Sequence, residues 1–578
     1  MARGSKQGGN PGDWVTRAAD DAVRHAGDDA AAGRALITVA SGASPSGPIH
    51  LGNLREFLTV HFVAEELRGR GLQVRHLHSW DDYDRFRKVP AGVDPSWSTH
   101  IGRPLSGVPD PWECHSSWAE HFKAPLVDAL AQMGVEMEEV SQTELYRAGR
   151  YREQVLTAVR RRAEIEEVLA RYRTKQVQPE PSSDQEAEAL ADSVAGEDEE
   201  HGTGGLARFP FRPYCRECGR DTTTLTSYDE ETTDLAYSCE ECGFSGVTNL
   251  ATQDEGKLVW KVDWPMRWAV EGVDFEPGGA DHASPGSSYT VGKEVVKRIY
   301  GGRAPSFVAY SFVGVAGMAK MSSSRGGVPT ADDALRVLEA PILRWLYVRR
   351  APKQAFNVEF GPEVVRLYDE WDALGRKAAD PAKRDPQVLA WERASSTTTA
   401  GRLPTPRVVV PFRTLSSVAD VTAGSADLIS STIRDVGHDH DSVDDLEPRL
   451  TRAMTWIREF VPPEDRTVVR ESPDSERLAA LAEQEQQWLR LLLEHLPDER
   501  DLAAVTRVVY GVPKLAHGLD LDASPTEEVK ADQKAFFRLL YHLFVGRDRG
   551  PRLPTLIVAL GPDRVRSLLG GPSDPDPV

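Results

Sequence analysis

One segment near the N-terminus constrains the fold more than any other. An apolar run around 35–41 leads into a loop of glycine, proline and serine, and an amphipathic stretch follows at about 53–69. This order of strand, tight loop and helix is typical of nucleotide-binding α/β domains, because amides at a helix N-terminus favour phosphate. A further strand-like run at 74–78 completes a β-α-β unit. We therefore predict a parallel, doubly wound sheet that binds ligands at the carboxyl ends of its strands.

Two short motifs, far apart in the chain, predict the chemistry. A lone histidine in a loop is more often structural, but the loop around His50 is tight enough to approach a ligand closely. Lys320, in the run Lys320–Ser324, can meet the leaving pyrophosphate when a carboxylate attacks the α-phosphorus of ATP. We predict His50 and Lys320 to be catalytic. The residues predicted to bind ATP are Pro45, Gly47, His50, Gly52, Asn53, Lys320, Met321, Ser322, Ser323 and Ser324.

Four of the five cysteines form two Cys-x-x-Cys-Gly pairs separated by twenty residues. Two such turns can place four thiolates in a tetrahedron, so a structural zinc site is a better interpretation than buried free thiols. Four sulfur ligands leave no open position for catalysis. These ligands are Cys215, Cys218, Cys239 and Cys242. A second group has suitable zinc ligands, although its spacing alone does not distinguish a metal site from an incidental cluster: Asp110, Cys114, His115 and His121.

Three further patterns each have two interpretations. The acidic run Asp81–Asp84 is either a solvated turn or a segment that positions a ligand or braces a loop. The glycine-rich segment Gly278–His282 is either a flexible surface loop or a contact to ribose or substrate, which we favour. Trp260, Trp264 and Trp268 recur every four residues, as in a packed helix or an aromatic wall beside a cationic substrate. The polar residues and Pro265 between them argue against a regular helix, and we predict sheet at 258–262.

The net charge of −20 does not exclude a nucleic-acid partner, because the charge is unevenly distributed. Residues 176–205 contain nine acidic residues and no Lys or Arg, which is typical of a disordered surface insert. Basic residues cluster elsewhere. These clusters comprise Arg160, Arg161, Arg162, Arg171, Arg173 and Lys175, and then Arg344, Arg349, Arg350 and Lys353.

At 578 residues the chain is too long for one core. We predict an N-terminal lead-in over 1–34 and a Rossmann-like catalytic domain over 35–330. Within this domain we place an insertion at about 85–255, which contains a long helix around 143–175, the acidic segment and a zinc ribbon at 212–246. A helical domain is predicted over 331–578. Helical spacing of apolar residues predicts one helix in it over about 478–496, after an N-cap at Asp474–Ser475, and another over about 535–544 that Gly546 ends. With neither a signal peptide nor an apolar run that could cross a bilayer, we expect a cytoplasmic protein with no membrane partner.

Several stretches resemble those of one family, the class I lysyl-tRNA synthetases. The glycine loop and the lysine motif correspond to the signature loops known as HIGH and KMSKS, which mark class I synthetases in general. The more specific stretches include Cys114–Phe122 and Val262–Trp268. All stretches together are 41–53, 81–90, 114–122, 212–215, 262–268, 279–282 and 320–324.

The resemblance implies ATP-dependent activation of L-lysine and transfer of the lysyl group to the 3′ end of tRNA(Lys). It also implies ATP as its Mg²⁺ complex, zinc at the second site as well as the first, and an anticodon-binding helical C-terminal domain. We expect a monomer. The predicted substrate-binding residues are Gly42, Ser44, Trp260, Asp281, His282 and Tyr310. Arg349, Arg350 and Lys353 are predicted to contact tRNA phosphates.

Two positions depart from the general class I signatures. Asn53 ends the first motif with an amide, and Ser323 replaces the second lysine of the other motif, where Arg325 can supply a positive charge. Alternative functions are another class I synthetase, of the glutamyl or arginyl type, and a non-catalytic RNA-binding paralogue. A glutamyl enzyme would need an arginine facing the substrate side chain. The intact His50, Gly52 and Lys320 count against the paralogue.

Overall fold

The structure is a computed structural model, and it describes residues 13–90, 92–173, 204–253, 255–284, 286–311, 313–316 and 329–570. Most of the acidic segment 176–205 lies outside these residues, and so do Lys320, Met321, Ser322, Ser323 and Ser324. The chain divides into two compact units. The first comprises 1–335, 343–359 and 380–403, and the second comprises 336–342, 360–379 and 404–578.

The helices are α1 Trp14–Ala26, α2 Asp28–Ala31, α3 Leu54–Gly69, α4 Trp118–Gln132, α5 Gln142–Arg147, α6 Arg152–Arg160, α7 Arg162–Arg173, α8 Trp260–Glu271, α9 Ser288–Ile299, α10 Ala331–Leu335, α11 Ala340–Val348, α12 Glu363–Ala378, α13 Pro386–Ser395, α14 Phe412–Val421, α15 Ala426–Asp435, α16 Arg449–Phe460, α17 Ser475–Ala479, α18 Glu483–His495, α19 Leu502–Ala516, α20 Glu527–Val545, α21 Leu553–Leu560 and α22 Pro562–Leu568. The strands are β1 Ile37–Ala43, β2 Val74–Trp80, β3 Glu138–Ser141, β4 Phe211–Pro213, β5 Thr223–Tyr228, β6 Asp234–Cys239, β7 Ser245–Asn249, β8 Gly256–Leu258, β9 Val273–Gly279, β10 Ser306–Tyr310, β11 Val313–Ala316, β12 Phe356–Glu359, β13 Ser396–Thr397 and β14 Gly401–Arg402.

A parallel sheet organises the first unit. Its five strands lie in the order β10-β9-β1-β2-β3, and every neighbouring pair is parallel. Helices cover both faces. Ile37 and Val39 of β1 pack with α1 and α3, while Ala40 packs with α8 and α9 on the other face. The predicted doubly wound α/β fold is therefore confirmed, with apolar side chains from one strand serving cores on two sides.

The range predicted as an insertion contributes one strand to this sheet. β3 pairs with the end of β2 and forms the sheet edge. Its four residues, Glu138–Ser141, have no buried side chain, so they lack the apolar run that identifies an inner strand. After α7, the cysteine-rich region folds as the antiparallel sheet β5-β6-β7, beside an antiparallel pair of β4 and β8.

Two predictions of secondary structure are wrong. The single helix predicted over about 143–175 is three helices, α5, α6 and α7, and Gly149 with φ of 72° lies in the first break. The strand predicted at 258–262 ends at Leu258, and α8 begins at Trp260. Residues 261–268 of α8 are all buried, including three charged residues, so the usual alternation of apolar and polar faces is missing.

The second unit is mainly helical, which confirms the predicted helical C-terminal region. Asp474 caps α17 by accepting the Arg477 N–H, as the sequence indicated, although the long helix expected after it is two helices, α17 and α18. α20 ends at Gly546, whose φ of 72° is the left-handed conformation that glycine adopts most easily. In the described residues, no helix combines the length and apolarity needed to span a membrane.

Arg449 at the start of α16 joins the three chain segments that form the second unit. Its guanidinium donates to Glu339 at 2.7 Å, to both oxygens of Asp372 at 2.8 and 2.9 Å, and to the Val410 carbonyl at 3.0 Å. The side chains of Arg449 and Glu339 are almost fully buried. A buried ion pair of this kind depends on both partners, because either charge alone would be left uncompensated away from water.

We predict that Arg449→Met lowers the free energy of unfolding by about 3 kcal/mol or more, because Glu339 and Asp372 lose their counter-charge. Urea unfolding followed by circular dichroism measures the change. Arg407→Ala is the control, since the Arg407 side chain is exposed while it pairs with Asp445 in the same unit. Equal effects of the two substitutions would contradict the prediction.

Candidate active site and metal sites

Five of the six residues predicted to bind substrate lie at the carboxyl edge of the parallel sheet. Gly42 is the penultimate residue of β1, and Ser44 follows that strand. Asp281 and His282 lie in the turn after β9, and Tyr310 is the last residue of β10. Because β1, β9 and β10 are parallel neighbours, their ends meet at the same edge. Ligands bind at this edge in open α/β sheets, where the strand order reverses.

The sixth residue, Trp260, is connected to this edge by a row of aromatic rings. Its indole stacks on Trp264, with ring centroids 5.3 Å apart and an interplanar angle of 13°. Trp264 in turn contacts the His282 ring edge-on at 5.6 Å. Because α8 is helical, these rings and that of Trp268 share one face, as the four-residue spacing suggested. The result is an aromatic wall beside the end of β9.

Glu276 of β9 fixes the orientation of this wall. The indole N–H groups of Trp264 and Trp268 donate to its two carboxylate oxygens at 3.0 and 2.5 Å. Burial raises the pKa of Glu276 to about 7, although both indole bonds favour the charged form. Two donors on one rigid helix hold the carboxylate, and the carboxylate in turn prevents the two indoles from rotating. Sequence analysis missed Glu276, because nothing in the local pattern pairs it with α8.

Glu56 forms hydrogen bonds with two of the residues predicted to bind substrate. It lies in the first turn of α3, where one of its carboxylate oxygens accepts the Gly42 N–H and the other accepts the Tyr310 hydroxyl, both at 2.7 Å. The pKa of Glu56 is raised to about 8, chiefly by burial; the two hydrogen bonds oppose the rise, and the carboxylates of Glu276 and Asp81 add to it. Sequence analysis also missed Glu56. Its position directly after the predicted nucleotide loop was the one feature of the sequence that could have indicated a place in the site.

Arg267 of α8 is held between two carboxylates below the same edge. It donates to Asp81 at 2.5 Å and to Asp263, and all three side chains are buried. Burial raises the pKa of Asp81 to about 6 despite the guanidinium beside it. With Glu56 and Glu276 nearby, the edge of the sheet has more buried acidic groups than cationic ones. Such an environment favours a positively charged ligand.

The loop around His50 has the close backbone approach expected from its glycines. The Gly52 N–H donates to His50 Nδ1 at 3.0 Å, and a Cβ at Gly52 would lie only 2.6 Å from the imidazole ring. Because Nδ1 accepts this hydrogen bond, the proton of a neutral ring lies on Nε2. α3 begins directly afterwards at Leu54, so the loop precedes the N-terminus of a sixteen-residue helix. Nε2 can therefore donate to a phosphate oxygen there.

Both ends of the segment that carries Lys320 adjoin this loop. On one side, a Cβ at Gly52 would lie 3.4 Å from the carbonyl oxygen of Val313 in β11. On the other side, the Leu51 N–H donates to the Pro329 carbonyl at 3.0 Å. Lys320 itself lies outside the described residues. Lys320 is the seventh residue after Val313, a span of at most about 25 Å for an extended chain.

The acidic run after β2 braces the site instead of forming a solvated turn. Asp82 is buried and accepts from Lys123 Nζ at 2.7 Å, from the Ser141 hydroxyl at 2.7 Å and from both the amide and hydroxyl of Thr143. Asp84 accepts from Lys257 at 2.5 Å. The run thus ties β2 to the elements on both sides of it.

The four cysteines of the two Cys-x-x-Cys pairs converge. Cys215 Sγ lies 3.7 Å from Cys242 Sγ, Cys218 Sγ lies 3.6 Å from Cys239 Sγ, and all four sulfurs are within 4.8 Å of one another. A tetrahedral zinc ion with bonds of about 2.3 Å would separate its sulfur ligands by about 3.8 Å. Gly219 and Gly243, each with φ of 73°, close the two turns. The geometry fits a structural zinc site.

The second group also converges. The sulfur of Cys114 lies 3.1 Å from His115 Nδ1, 3.3 Å from His121 Nδ1 and 3.2 Å from an Asp110 oxygen. Backbone N–H groups of Trp112, Cys114 and His115 hold the Asp110 carboxylate. One carboxylate, one thiolate and two imidazoles suit zinc. The adjoining Trp118 donates its indole N–H to the Ser46 carbonyl at 3.1 Å, which connects this group to the nucleotide loop.

Comparisons with known proteins agree with these features. The family model described as "tRNA synthetases class I (K)" matches residues 12–397. The chain is 52% identical to the lysine–tRNA ligase of Streptomyces coelicolor, and the alignment covers 96% of this chain and 98% of that protein. It is 33% identical to the lysine–tRNA ligase of Thermococcus kodakarensis, with 95% and 97% covered. For the lysine–tRNA ligase of Treponema pallidum the identity is 31%, with 92% and 94% covered.

We predict two zinc ions per chain, one for each group of four converging ligands. Plasma mass spectrometry of the purified protein measures the content. Cys239→Ser should remove one ion and lower the melting temperature, because the ion organises the β5-β6-β7 sheet. Cys114→Ser should remove the other ion. His100→Ala is the control and should retain both. One ion in the wild type, unaffected by Cys114→Ser, would contradict the second site.

Proposed function

The chain belongs to the class I lysyl-tRNA synthetases, and we propose on this premise that it activates L-lysine with ATP and transfers the lysyl group to tRNA(Lys). One observation carries the proposal. The loop of His50, at the N-terminus of α3, lies between the two ends of the Lys320 segment. These two motifs can therefore act on a single nucleotide at the carboxyl edge of the sheet.

In the first step, a carboxylate oxygen of lysine attacks the α-phosphorus of ATP, which is bound as its Mg²⁺ complex. A new oxygen–phosphorus bond forms as the bond to the pyrophosphate oxygen breaks, which gives lysyl-adenylate and pyrophosphate. We propose that His50 Nε2 donates to a phosphate oxygen and that Lys320 neutralises charge on the leaving pyrophosphate. Their contribution is to position and stabilise charge in the transition state.

In the second step, a hydroxyl of the 3′-terminal ribose of the tRNA attacks the lysyl carbonyl carbon. The bond from that carbon to the adenylate oxygen breaks, so that AMP leaves and lysine becomes esterified to the tRNA. The proton of the tRNA hydroxyl passes to the departing AMP phosphate or to water, and AMP leaves because it is a better leaving group than the ribose oxygen. No protein nucleophile is required, because the adenylate is already an activated acyl group.

The acidic surroundings of the site favour lysine over glutamate. Selecting glutamate would need a cation directed at the substrate, but Arg267 already pairs with Asp81 and Asp263. A lysine side chain suits both the aromatic wall and the surplus of carboxylates. The residues that we propose to contact lysine are Gly42, Ser44, Trp260, Asp281, His282 and Tyr310. Because tRNA is charged for protein synthesis, we also propose a cytoplasmic location.

ATP–pyrophosphate exchange with a panel of amino acids tests the function. We expect exchange with L-lysine and none with glutamate, arginine or methionine, because only lysine combines a compact ammonium with a long aliphatic chain. Exchange with one of the others would reassign the substrate. No exchange, with or without tRNA, would indicate a non-catalytic paralogue.

His50→Ala and Lys320→Ala test the two motifs in the same assay. Each should lower kcat about 100-fold, as expected for the loss of one donor to a charged transition state. His495→Ala is the control, because that histidine lies at the end of α18 in the second unit, where it bonds the Leu491 carbonyl. If neither substitution changes kcat, the proposed shared nucleotide site is refuted.

We further propose that Arg349, Arg350 and Lys353 contact tRNA phosphates. Arg349 lies over the Trp345 ring at 3.9 Å and Arg350 over the Phe356 ring at 4.6 Å, so aromatic rings support both guanidinium groups. The Lys353 side chain is exposed. All three belong to the first unit, and they occupy one short segment directly after α11.

Changing these three residues to alanine should weaken tRNA binding and reduce the slope of log K against log salt by about 2, because fewer counterions are released. Filter binding at several salt concentrations measures the slope. Arg24→Ala with Arg34→Ala is the control, since both arginines are exposed and pair with neighbouring aspartates. A slope equal to that of the wild type would contradict the contact.

A further inference from the structure

We propose that Trp118, the first residue of α4, is a positioning residue for ATP. Its indole holds the nucleotide loop in place, and the second group of metal ligands, at the start of the same helix, holds the indole. The inference rests on the proposed function, because that function assigns the loop to ATP. It adds a residue that lies outside the predicted ATP-binding and substrate-binding sets.

The part of the nucleotide loop before His50 depends on one hydrogen bond. Residues 44–49 connect the end of β1 to His50. Within the described part of the chain, these residues make a single hydrogen bond, in which the Trp118 indole N–H donates to the Ser46 carbonyl at 3.1 Å. Pro45 and Ile49 are buried, but apolar packing does not orient backbone polar groups. Trp118 therefore fixes the direction of the backbone between β1 and His50.

This hydrogen bond also determines where the amide of Gly47 points. A trans peptide unit directs its carbonyl and its N–H to opposite sides. Because the Ser46 carbonyl faces Trp118, the N–H of Gly47 in the same peptide unit faces away from it. That N–H makes no hydrogen bond to any described residue, and a Cβ at Gly47 would meet no atom within 4 Å. The amide is thus turned outward, where it can donate to an oxygen of ATP.

Trp118 is itself held rigidly. Its side chain is fully buried, and its backbone N–H donates to the Val108 carbonyl at 2.8 Å. The indole packs against Phe86 and Phe122, with ring centroids 4.9 and 5.0 Å away. A donor that is fixed in this way can hold a loop that has few contacts of its own.

The second metal group adjoins Trp118 on two sides. His121 follows Trp118 by three residues, so the two side chains lie on the same side of α4. The ring of Trp112 stacks on His121 at 4.2 Å and lies 6.0 Å from the ring of Trp118. Zinc held by His121 and the three other ligands would fix this first turn of α4, and with it the indole.

The turn that carries the metal ligands has an unfavourable backbone conformation. Glu113 has φ of 58°, which is uncommon for a residue other than glycine. Such a conformation persists where surrounding contacts hold it. Here the Asp110 carboxylate accepts from the amides on both sides of Glu113, those of Trp112 and Cys114. Without the metal, Asp110 is left to hold the turn, so the position of Trp112 against Trp118 becomes less fixed.

Trp118→Phe tests the contact with the loop. Phenylalanine keeps an aromatic ring in the cluster but has no N–H to donate. The dissociation constant for ATP, measured by isothermal titration calorimetry, should rise about 5- to 10-fold, as expected for the loss of one hydrogen bond. KM for lysine in the exchange assay should stay unchanged. Trp456→Phe is the matched control, because that indole N–H donates to the Phe360 carbonyl at 3.0 Å in the second unit.

The smaller ring is expected to lower stability in both variants, so stability alone does not decide the question. The inference is overturned if Trp118→Phe leaves ATP binding unchanged, or if it weakens lysine and ATP to the same extent. It is also overturned if Trp456→Phe weakens ATP binding as much as Trp118→Phe does.

A double-mutant cycle tests whether the metal group acts through Trp118. Cys114→Ser, which removes the second metal, should weaken ATP binding in the wild-type background and have no further effect in Trp118→Phe. Cys239→Ser removes the other metal and should leave ATP binding unchanged. Equal effects of Cys114→Ser in the two backgrounds would show that the metal group acts independently of Trp118. No effect in the wild-type background would refute the link to the metal.

A measurement without substrates separates this inference from the proposed function. In the protein labelled with ¹⁵N-tryptophan, the indole N–H signal of Trp118 is the one that Trp118→Phe removes from the NMR spectrum. It should exchange slowly with D₂O in the wild type and in Cys239→Ser, and faster in Cys114→Ser. Fast exchange in the wild type would show that the bond to Ser46 is not formed. Failure of the wild type to bind ATP would instead refute the proposed function.

Discussion

The parallel pairing of β1 with β9 is the constraint on which the site depends. From β1 the chain continues to β2 on one side of the sheet, and the later strands β9 and β10 are added on the other side. Loops that leave the carboxyl ends of β1 and β9 therefore diverge, and a crevice opens between them. This crevice is bordered by the loop of His50, by the turn after β9 that contains Asp281 and His282, and by the end of β10.

The acidic groups around the crevice differ in their partners. Arg267 pairs with both Asp81 and Asp263 in the buried layer below, and the indoles of α8 hold Glu276. These contacts hold the aromatic wall in place. They involve Asp81, Asp263 and Glu276 and leave Glu56 without a cationic partner among the described residues. Glu56 is held only by neutral donors, and burial favours its uncharged form by raising its pKa to about 8. A lysine substrate fits this arrangement because it brings a positive charge on an aliphatic chain that can pack against tryptophan.

Errors in the sequence predictions arose where burial hides the periodicity. α8 is buried along residues 261–268, with Lys261, Asp263 and Arg267 inside, so it shows no polar face. Its charges are tolerated because Arg267 pairs with carboxylates. β3 could not be recognised from the sequence for the opposite reason, since its residues are not buried and contain no apolar run. In both cases the pattern of apolar and polar residues is misleading, because it predicts an element correctly only when the burial of that element is typical.

The sequence by itself determined the features that depend on neighbouring residues: the strand, tight loop and helix around His50, the Cys-x-x-Cys turns and the caps of α17 and α20. Backbone conformation and short-range hydrogen bonds fix such features, so residue type and spacing are enough to recognise them. Only the tertiary structure decided that Glu56 meets Tyr310, 254 residues away, and that Glu276 lies against two indoles. Those contacts arise from strand order and helix packing, which residue spacing along the chain does not encode.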